Sequence, residues 1–218
     1  MPTARVDQYP FILRTAAEAF LADGLEAGRQ VLQPIAGEIW PGLPPRSLPR
    51  PASREPLRAV VGKRSFSPAR SAATFRRDHF RCRYCCSEIT PRPIGALMHS
   101  LYPSELPFHE NYKRGYVHPL FWTRVAEADH LIAGARGGGW DDPDNHVTAC
   151  VRCNTLKGNL SVEELGWVLS DPIPGWDGLV PLYPLVWERA GRPRAAFHSP
   201  WLRAFGFRAT SPDSGGLP

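Results

Sequence analysis

The sequence predicts an α+β fold in which two strands and a short helix form the centre of the protein. Residues 125–148 have the pattern of a strand, a glycine-rich loop and a returning strand, and residues 150–160 that of a short helix. Two C-x-x-C pairs, one upstream of this unit and one at its helix, predict a metal clip between distant parts of the chain. A chain of 218 residues, 43% of them hydrophobic, can bury one core around such a unit.

An amphipathic helix is predicted near the N-terminus, where apolar residues recur at spacings of three and four over residues 12–32. Gly24 and Gly28 lie inside this pattern and predict a break or bend, because glycine weakens a helix interior. We assign residues 1–33 to an N-terminal helical segment. Residues 34–60 are predicted to be an extended connector, since their many prolines disfavour helix and central strand.

The principal domain is predicted to cover residues 61–170, with an insertion at about 87–118 between the two cysteine pairs. Within it, Ser71 to Arg81 can form a short helix that brings basic side chains to the first cysteine pair. Ser161-Val162-Glu163-Glu164 has the pattern of a capping box and predicts a further helix running to Val168 or Leu169.

The C-terminal part of the chain mixes aromatic residues with prolines. Residues 171–209 are predicted to be an extension that packs against the core, with no function assigned from its sequence. Residues 210–218 have no apolar periodicity and are predicted to be a disordered tail.

The charge balance permits a polyanionic partner without requiring one. The chain has 26 basic and 21 acidic residues, a net charge of +5 and a pI near 9.1. Residues 61–92 hold eight basic against two acidic side chains, so this segment is predicted to neutralise backbone phosphates, with an ordinary solvated surface as the alternative. The residues assigned to nucleic-acid contact are Arg76, Arg77, Arg81, Arg83, Arg152 and Lys157.

Four of the five cysteines are predicted to bind one structural zinc ion through their thiolates. The sequence has neither a basic-then-apolar leader nor an apolar stretch of about 18 residues, which predicts a cytoplasmic protein without a membrane association. In that reducing compartment paired cysteines are typical of metal sites, with ordinary buried thiols as the alternative. The predicted ligands are Cys82, Cys85, Cys150 and Cys153, while Cys86 is expected to pack rather than bind.

A second cluster of motifs carries the predicted chemistry. Asp129-His130 ends the first strand, Asn145 follows the glycine-rich loop, and Asn154 lies in C-x-x-C-N-x-x-K. This combination, over about residues 75–170, resembles the HNH endonuclease family, whose core is the ββα-metal or His-Me finger fold. The chain departs from the family pattern at two positions, where Ala133 replaces a common proline and His146 an apolar residue.

The resemblance implies a role for each motif residue. His130 would be the general base that polarises the attacking water, and Asp129 and Asn154 would hold a divalent ion. Asn145 would brace the loop and help to orient the histidine. Because a carboxylate and an amide oxygen are hard ligands, Mg²⁺ suits the catalytic position better than Zn²⁺, and Mn²⁺ or Ni²⁺ would substitute for it.

The leading hypothesis is therefore a Mg²⁺-dependent HNH endonuclease that hydrolyses phosphodiester bonds in DNA. One alternative is a zinc-stabilised nucleic-acid-binding module without turnover, which would need only the tightly held zinc. Another is a toxin or defence nuclease that a protein partner gates. A homodimer is also open, because one site nicks one strand. The sequence leaves the choice between DNA and RNA undecided.

Overall fold

A computed structural model describes residues 3–43 and 66–208 of the chain, with side chains described from residue 6 onward. The N-terminal half of these residues contains α1 (Thr3–Asp23), α2 (Leu25–Leu32), α3 (Pro68–Arg77), β1 (Thr90–Pro91) and α4 (Arg92–Leu101). The remainder contains α5 (Pro119–Thr123), β2 (Val125–His130), β3 (His146–Cys150), α6 (Val151–Lys157), α7 (Tyr183–Arg189) and α8 (Ala195–Ala204). None of the described helices is long and apolar enough to cross a membrane.

The sheet has the order β1-β2-β3, with β1 parallel and β3 antiparallel to β2. In the β2–β3 ladder Ala126 lies opposite Cys150, and His130 lies opposite His146. This register places the end of β2, where the predicted base lies, beside the start of β3. The α+β class and the strand-loop-strand-helix unit predicted from the sequence are confirmed.

The segment predicted as an insertion contributes to the core of the fold. It supplies β1, which pairs with Val125 and Ala126 of β2, and α4, whose apolar face is buried. Ile94, Leu97 and Met98 lie in the same hydrophobic cluster as residues of β2 and β3. Residues 87–118 thus form one wall of the domain rather than an appendage on it.

The N-terminal helical segment breaks at Gly24, one of the two predicted positions. Gly24 has φ of 90°, in the region that favours glycine, and separates α1 from α2. Gly28 lies within α2 against Tyr102, where a Cβ atom would come within 2.0 Å of the tyrosine Oη. Beyond α2, Trp40 stacks on Trp122 with ring centroids 4.0 Å apart. The predicted connector is therefore attached to the core at its start, and its part from residue 44 lies outside the described residues.

The helix predicted to reach Val168 or Leu169 does not form, although its capping box does. The Ser161 Oγ accepts from the Glu164 backbone N–H, and the Glu164 carboxylate accepts from the Ser161 N–H. One turn later Gly166 adopts φ of 64°, and the Trp167 N–H bonds back to the Val162 carbonyl. This Schellman-type closure ends the helix as soon as it begins, and Gly166 is the residue that permits it.

Helix α3 occupies the region of the predicted helix at Ser71 to Arg81, shifted towards the N-terminus. Ser67 caps it, accepting from the Arg70 N–H at 3.2 Å, and the positive φ angles of His79 and Phe80 follow its end. Helix α8 packs along it, with the rings of Phe75 and Trp201 parallel. The C-terminal helices thus share the main hydrophobic cluster. The predicted tail at 210–218 lies outside the described residues.

Candidate active site and metal centre

The four predicted zinc ligands converge at one point. Their Sγ atoms all lie within 4.8 Å of one another, and none of the four cysteines forms a disulfide. A tetrahedral zinc with Zn–S bonds of about 2.3 Å requires thiolates just under 4 Å apart, which this spacing approaches. The residues present therefore fit a closed, structural zinc site.

Two local structures position the thiolates. The first pair lies in a tight turn, closed by a hydrogen bond from the Cys86 N–H to the Cys82 carbonyl. Cys150 ends β3 and caps α6, with its Sγ 3.4 Å from the Cys153 backbone nitrogen. The cluster therefore joins the turn after α3 to the first turn of α6. Cys86 lies outside the cluster, as expected, but its side chain is exposed rather than packed as the sequence analysis predicted.

The face of β2 that looks towards α6 carries two acidic side chains. Glu127 and Asp129 both lie on this face, because successive side chains of a strand point to opposite sides and residues two positions apart share a side. On α6, Asn154 and Lys157 are three residues apart and share one face of the helix. Asn154 meets Glu127, and Lys157 meets Asp129. The helix and the strand therefore pair two polar groups against two carboxylates.

Asp129 is buried and held by three donors. Its Oδ1 accepts from the His130 backbone N–H at 2.8 Å, and its Oδ2 from the Tyr84 hydroxyl at 2.7 Å. The Lys157 Nζ lies 3.3 Å from the same Oδ2. Burial raises the pKa of Asp129 while Lys157 opposes that rise. A carboxylate that is fixed in this way can still offer lone pairs to a cation.

The expectation that Lys157 contacts phosphate is corrected by its position. The residue is 1% exposed, and its Nζ donates to the His130 carbonyl at 2.7 Å as well as pairing with Asp129. Its charge is therefore directed into the protein. Lysine is rarely buried without a partner, so the sequence pattern favoured a surface role for Lys157. Its partner, Asp129, lies in another element, β2.

Replacing Lys157 with methionine is expected to lower the free energy of unfolding by about 3–5 kcal/mol, because Asp129 would remain buried without its counter-charge. Urea denaturation of the zinc-loaded protein measures this change. Lys113→Met removes an exposed lysine and is the matched control, with an expected effect within about 0.5 kcal/mol. Equal midpoints for both variants would show that the buried pair adds no stability.

His130 lies in an aromatic enclosure at the end of β2. It is 9% exposed, with the rings of Phe66 and Trp140 each 4.6 Å from its own and His146 at 5.1 Å. Burial lowers the pKa of His130, and the nearby Trp140 carbonyl opposes this only in part. The imidazole is therefore neutral at neutral pH, which is the form that can accept a proton.

Asn145 braces the loop between the strands. Its Oδ1 accepts from the Ile132 N–H at 2.8 Å, and its Nδ2 donates to the carbonyls of Ile132 and Gly139, each at 3.0 Å. Gly138 is required here, because a Cβ atom would lie 1.9 Å from the Ile132 oxygen. These contacts match the bracing role expected for Asn145 and set the path of the loop past His130. The neighbouring His146 bonds the Trp140 carbonyl through Nε2 at 2.9 Å.

Glu127 is the residue of this centre that the sequence analysis did not single out. Its Oε2 accepts from the Asn154 Nδ2 at 2.7 Å. Burial raises the pKa of Glu127, with Asn154 and Arg92 opposing the rise and Asp129 adding to it. A buried carboxylate, Asp129, and a partly buried one, Glu127, lie beside an amide and form a donor set that suits a hard divalent cation. The signal that could have revealed Glu127 is its spacing of two from Asp129 on a strand.

Most of the predicted phosphate-contacting arginines are engaged within the protein. Arg77 and Arg83 both pair with the fully buried Asp78, whose carboxylate also accepts from the Thr148 N–H. Burial alone would raise the pKa of Asp78, but the hydrogen bonds from Arg77 and Thr148 lower it overall. Asp78 therefore joins α3 and the first cysteine turn to β3. This network explains why basic residues cluster here.

The remaining arginines of that set differ in their surroundings. Arg76 donates to the Ala204 carbonyl and lies over the Phe205 ring, and Arg81 pairs with Glu88. Arg152 is exposed on α6, one position from Cys153. The predicted phosphate contact of Arg83 is wrong, because this side chain is only 13% exposed and pairs with Asp78. Exposed side chains remain at Arg76, Arg77 and Arg152.

Comparison with known proteins gave one family match. Residues 119–160, which span α5, β2, the loop, β3 and α6, match the family model described as HNH endonuclease. Neither the curated proteins nor the solved structures that were searched gave a match to this chain.

Proposed function

We propose, from the premise that residues 119–160 are an HNH endonuclease domain, that the protein is a Mg²⁺-dependent endonuclease acting on DNA. The observation that carries the proposal is the arrangement at the end of β2. A buried neutral imidazole, His130, adjoins a face on which the Asp129 carboxylate and the Asn154 amide are both held by neighbouring side chains.

In the proposed reaction, the Asp129 carboxylate and the Asn154 amide oxygen would hold the divalent ion. When bound, the ion would neutralise the charge that develops on the phosphate and the leaving oxygen. His130 would take the proton from the attacking water, and its lowered pKa keeps the imidazole free to do so. Asn145 would keep the loop, and with it the Trp140 carbonyl, in place beside the histidine.

The proposal that DNA is the substrate rests on the substrate class of the family and on the charge of the chain. HNH nucleases act on nucleic acid, and the net charge of +5 favours a polyanion. Arg152 is exposed on the helix that carries Asn154, so it can contact a backbone phosphate near the reacting one. Mn²⁺ or Ni²⁺ would replace Mg²⁺, since both also accept oxygen donors.

A partner-gated nuclease is the second candidate, and Phe66 favours it. Its ring lies 4.6 Å from that of His130 and 4.7 Å from that of His146. An aromatic side chain in this place limits the access of water and substrate to the base. A protein partner, or a second copy of the chain, that moved Phe66 would switch the site on.

Incubation of supercoiled plasmid with the zinc-loaded protein tests the proposal. We expect nicked product with Mg²⁺ and none with a chelator at a concentration that leaves the zinc content unchanged. Asp129→Asn is expected to lower the rate by about 10²-fold or more, because it removes the charge that holds the ion. Asp171→Asn, an exposed acidic residue outside the site, is the matched control and should cleave as wild type does.

Other outcomes of this assay separate the alternatives. A retarded but intact plasmid with every metal would contradict turnover and support a binding module. Cleavage by Phe66→Ala with an inactive wild type would support the gated nuclease. Cleavage that persists in chelator or in Asp129→Asn would contradict the proposed metal centre.

A further inference from the structure

We propose that Glu127 is a positioning residue of the metal centre, which orients the Asn154 side chain so that its amide oxygen faces the divalent ion. The inference rests on the proposed function, because it concerns the ion that Asp129 and Asn154 would hold. It adds a fourth residue, on β2, to a centre otherwise described by Asp129, His130 and Asn154.

The chemistry of the two side chains determines the orientation. The Glu127 Oε2 and the Asn154 Nδ2 are 2.7 Å apart, at the short end of the range for an N–H···O hydrogen bond. A carboxylate only accepts, so the NH₂ end of the amide must be the end that faces it. The opposite orientation would bring two oxygen atoms into contact. Glu127 thereby leaves the amide oxygen as the end of Asn154 that is available to a cation.

The fold makes this contact specific. Glu127 and Asp129 are two positions apart on β2, and Asn154 and Lys157 are three positions apart on α6, so the four side chains meet as two pairs. Lys157 holds Asp129 while Glu127 holds Asn154. Each proposed ligand therefore has its own partner from the opposite element. Partners of this kind typically alter metal affinity about 10–100-fold when removed.

A direct ligand role for Glu127 is the competing explanation, and it predicts different behaviour. A ligand acts whether or not Asn154 is present, whereas a positioning residue acts only through Asn154. A ligand also depends on its negative charge, whereas positioning depends on a hydrogen-bond acceptor. Glutamine keeps an acceptor oxygen without the charge, so Glu127→Gln separates the two roles.

The test is a titration of the zinc-loaded protein with Mn²⁺ in the absence of nucleic acid. Electron paramagnetic resonance measures the concentration of free Mn²⁺ and hence the dissociation constant. Glu127→Ala is expected to raise the dissociation constant about 10–100-fold. In the Asn154→Ala background, Glu127→Ala is expected to add no further loss. Glu127→Gln should stay within a few-fold of wild type. Thermal melts accompany each variant, and Glu127→Met replaces Glu127→Ala if the alanine variant does not fold.

The outcomes keep this inference separate from the proposed function. If Asp129→Asn abolishes Mn²⁺ binding but the Glu127 variants bind as wild type does, the inference is wrong and the metal centre stands. A further loss from Glu127→Ala in the Asn154→Ala background would also overturn it, as would a Glu127→Gln variant as weak as alanine. If wild type binds no Mn²⁺ that depends on Asp129, both the inference and the proposed function fail.

Discussion

Replacing His130 with alanine is expected to lower the rate of plasmid cleavage by about 10²–10⁴-fold, the contribution of a positioned general base. The expected loss is large because no other side chain described at the site can replace the imidazole. His146 is buried and bonds the Trp140 carbonyl, while Lys157 is tied to Asp129. Single-turnover cleavage in saturating Mg²⁺ is the appropriate measurement, since it isolates the chemical step.

The pH dependence of cleavage provides a second readout for His130. Its folded pKa lies below the ordinary value near 6.5, so the base is neutral at and above neutral pH and is lost on acidification. Wild-type cleavage should therefore be level at neutral pH and above and decline only on acidification below the ordinary imidazole pKa, and the residual activity of His130→Ala should lack this decline.

His109→Ala is the matched control for the loss of an imidazole, because His109 lies in the segment 87–118 beside Tyr116. It should cleave at the wild-type rate with the same pH profile. Zinc content and melting temperature must agree among the three proteins. Equal rates for His130→Ala and His109→Ala would exclude His130 as the base.

Removing the zinc ion is expected to abolish cooperative unfolding of the domain. Structural zinc sites contribute on the order of 10 kcal/mol or more, which exceeds the net stability of most domains. Here the cluster joins two segments that are far apart in the chain, and the second of them begins α6. Differential scanning calorimetry before and after a strong chelator, with zinc quantified by atomic absorption, measures the effect.

Two neighbouring cysteines provide a controlled comparison. Cys85→Ser removes one of the four thiolates, whereas Cys86→Ser changes the adjacent exposed residue outside the cluster. We expect the first variant to lose zinc and the cooperative transition, and the second to retain one zinc per chain. Retention of zinc and of the wild-type transition by Cys85→Ser would rule out the four-thiolate site.

The sequence allowed much of the centre to be predicted because its signals are local. The residue pattern that predicts β2, the glycine-rich loop and the C-x-x-C spacing each depend on residues that are close together in the chain. The convergence of both cysteine pairs on one point was also predicted, because a structural zinc requires four ligands.

The missed features depend on partners that are distant in sequence. The burial of Lys157 follows from Asp129 on β2, and Arg83 is held by the distant Ser170 carbonyl as well as by the nearby Asp78. The pairings of Lys157 with Asp129 and of Arg83 with Ser170 have no local pattern. The absent helix after Ser161 is a different case, since its capping signal was read correctly but Gly166 ended the turn.

The short helix α6 has a consequence for how the protein matures. Its seven residues include Cys153, which belongs to the thiolate cluster, and Asn154 and Lys157, which contact the acidic face of β2. One short helix therefore links the zinc site to the acidic face. A newly synthesised chain that has not acquired zinc would lack an anchored α6. On the proposed assignment it would also lack an assembled nuclease centre, so cleavage would begin only after zinc has been acquired.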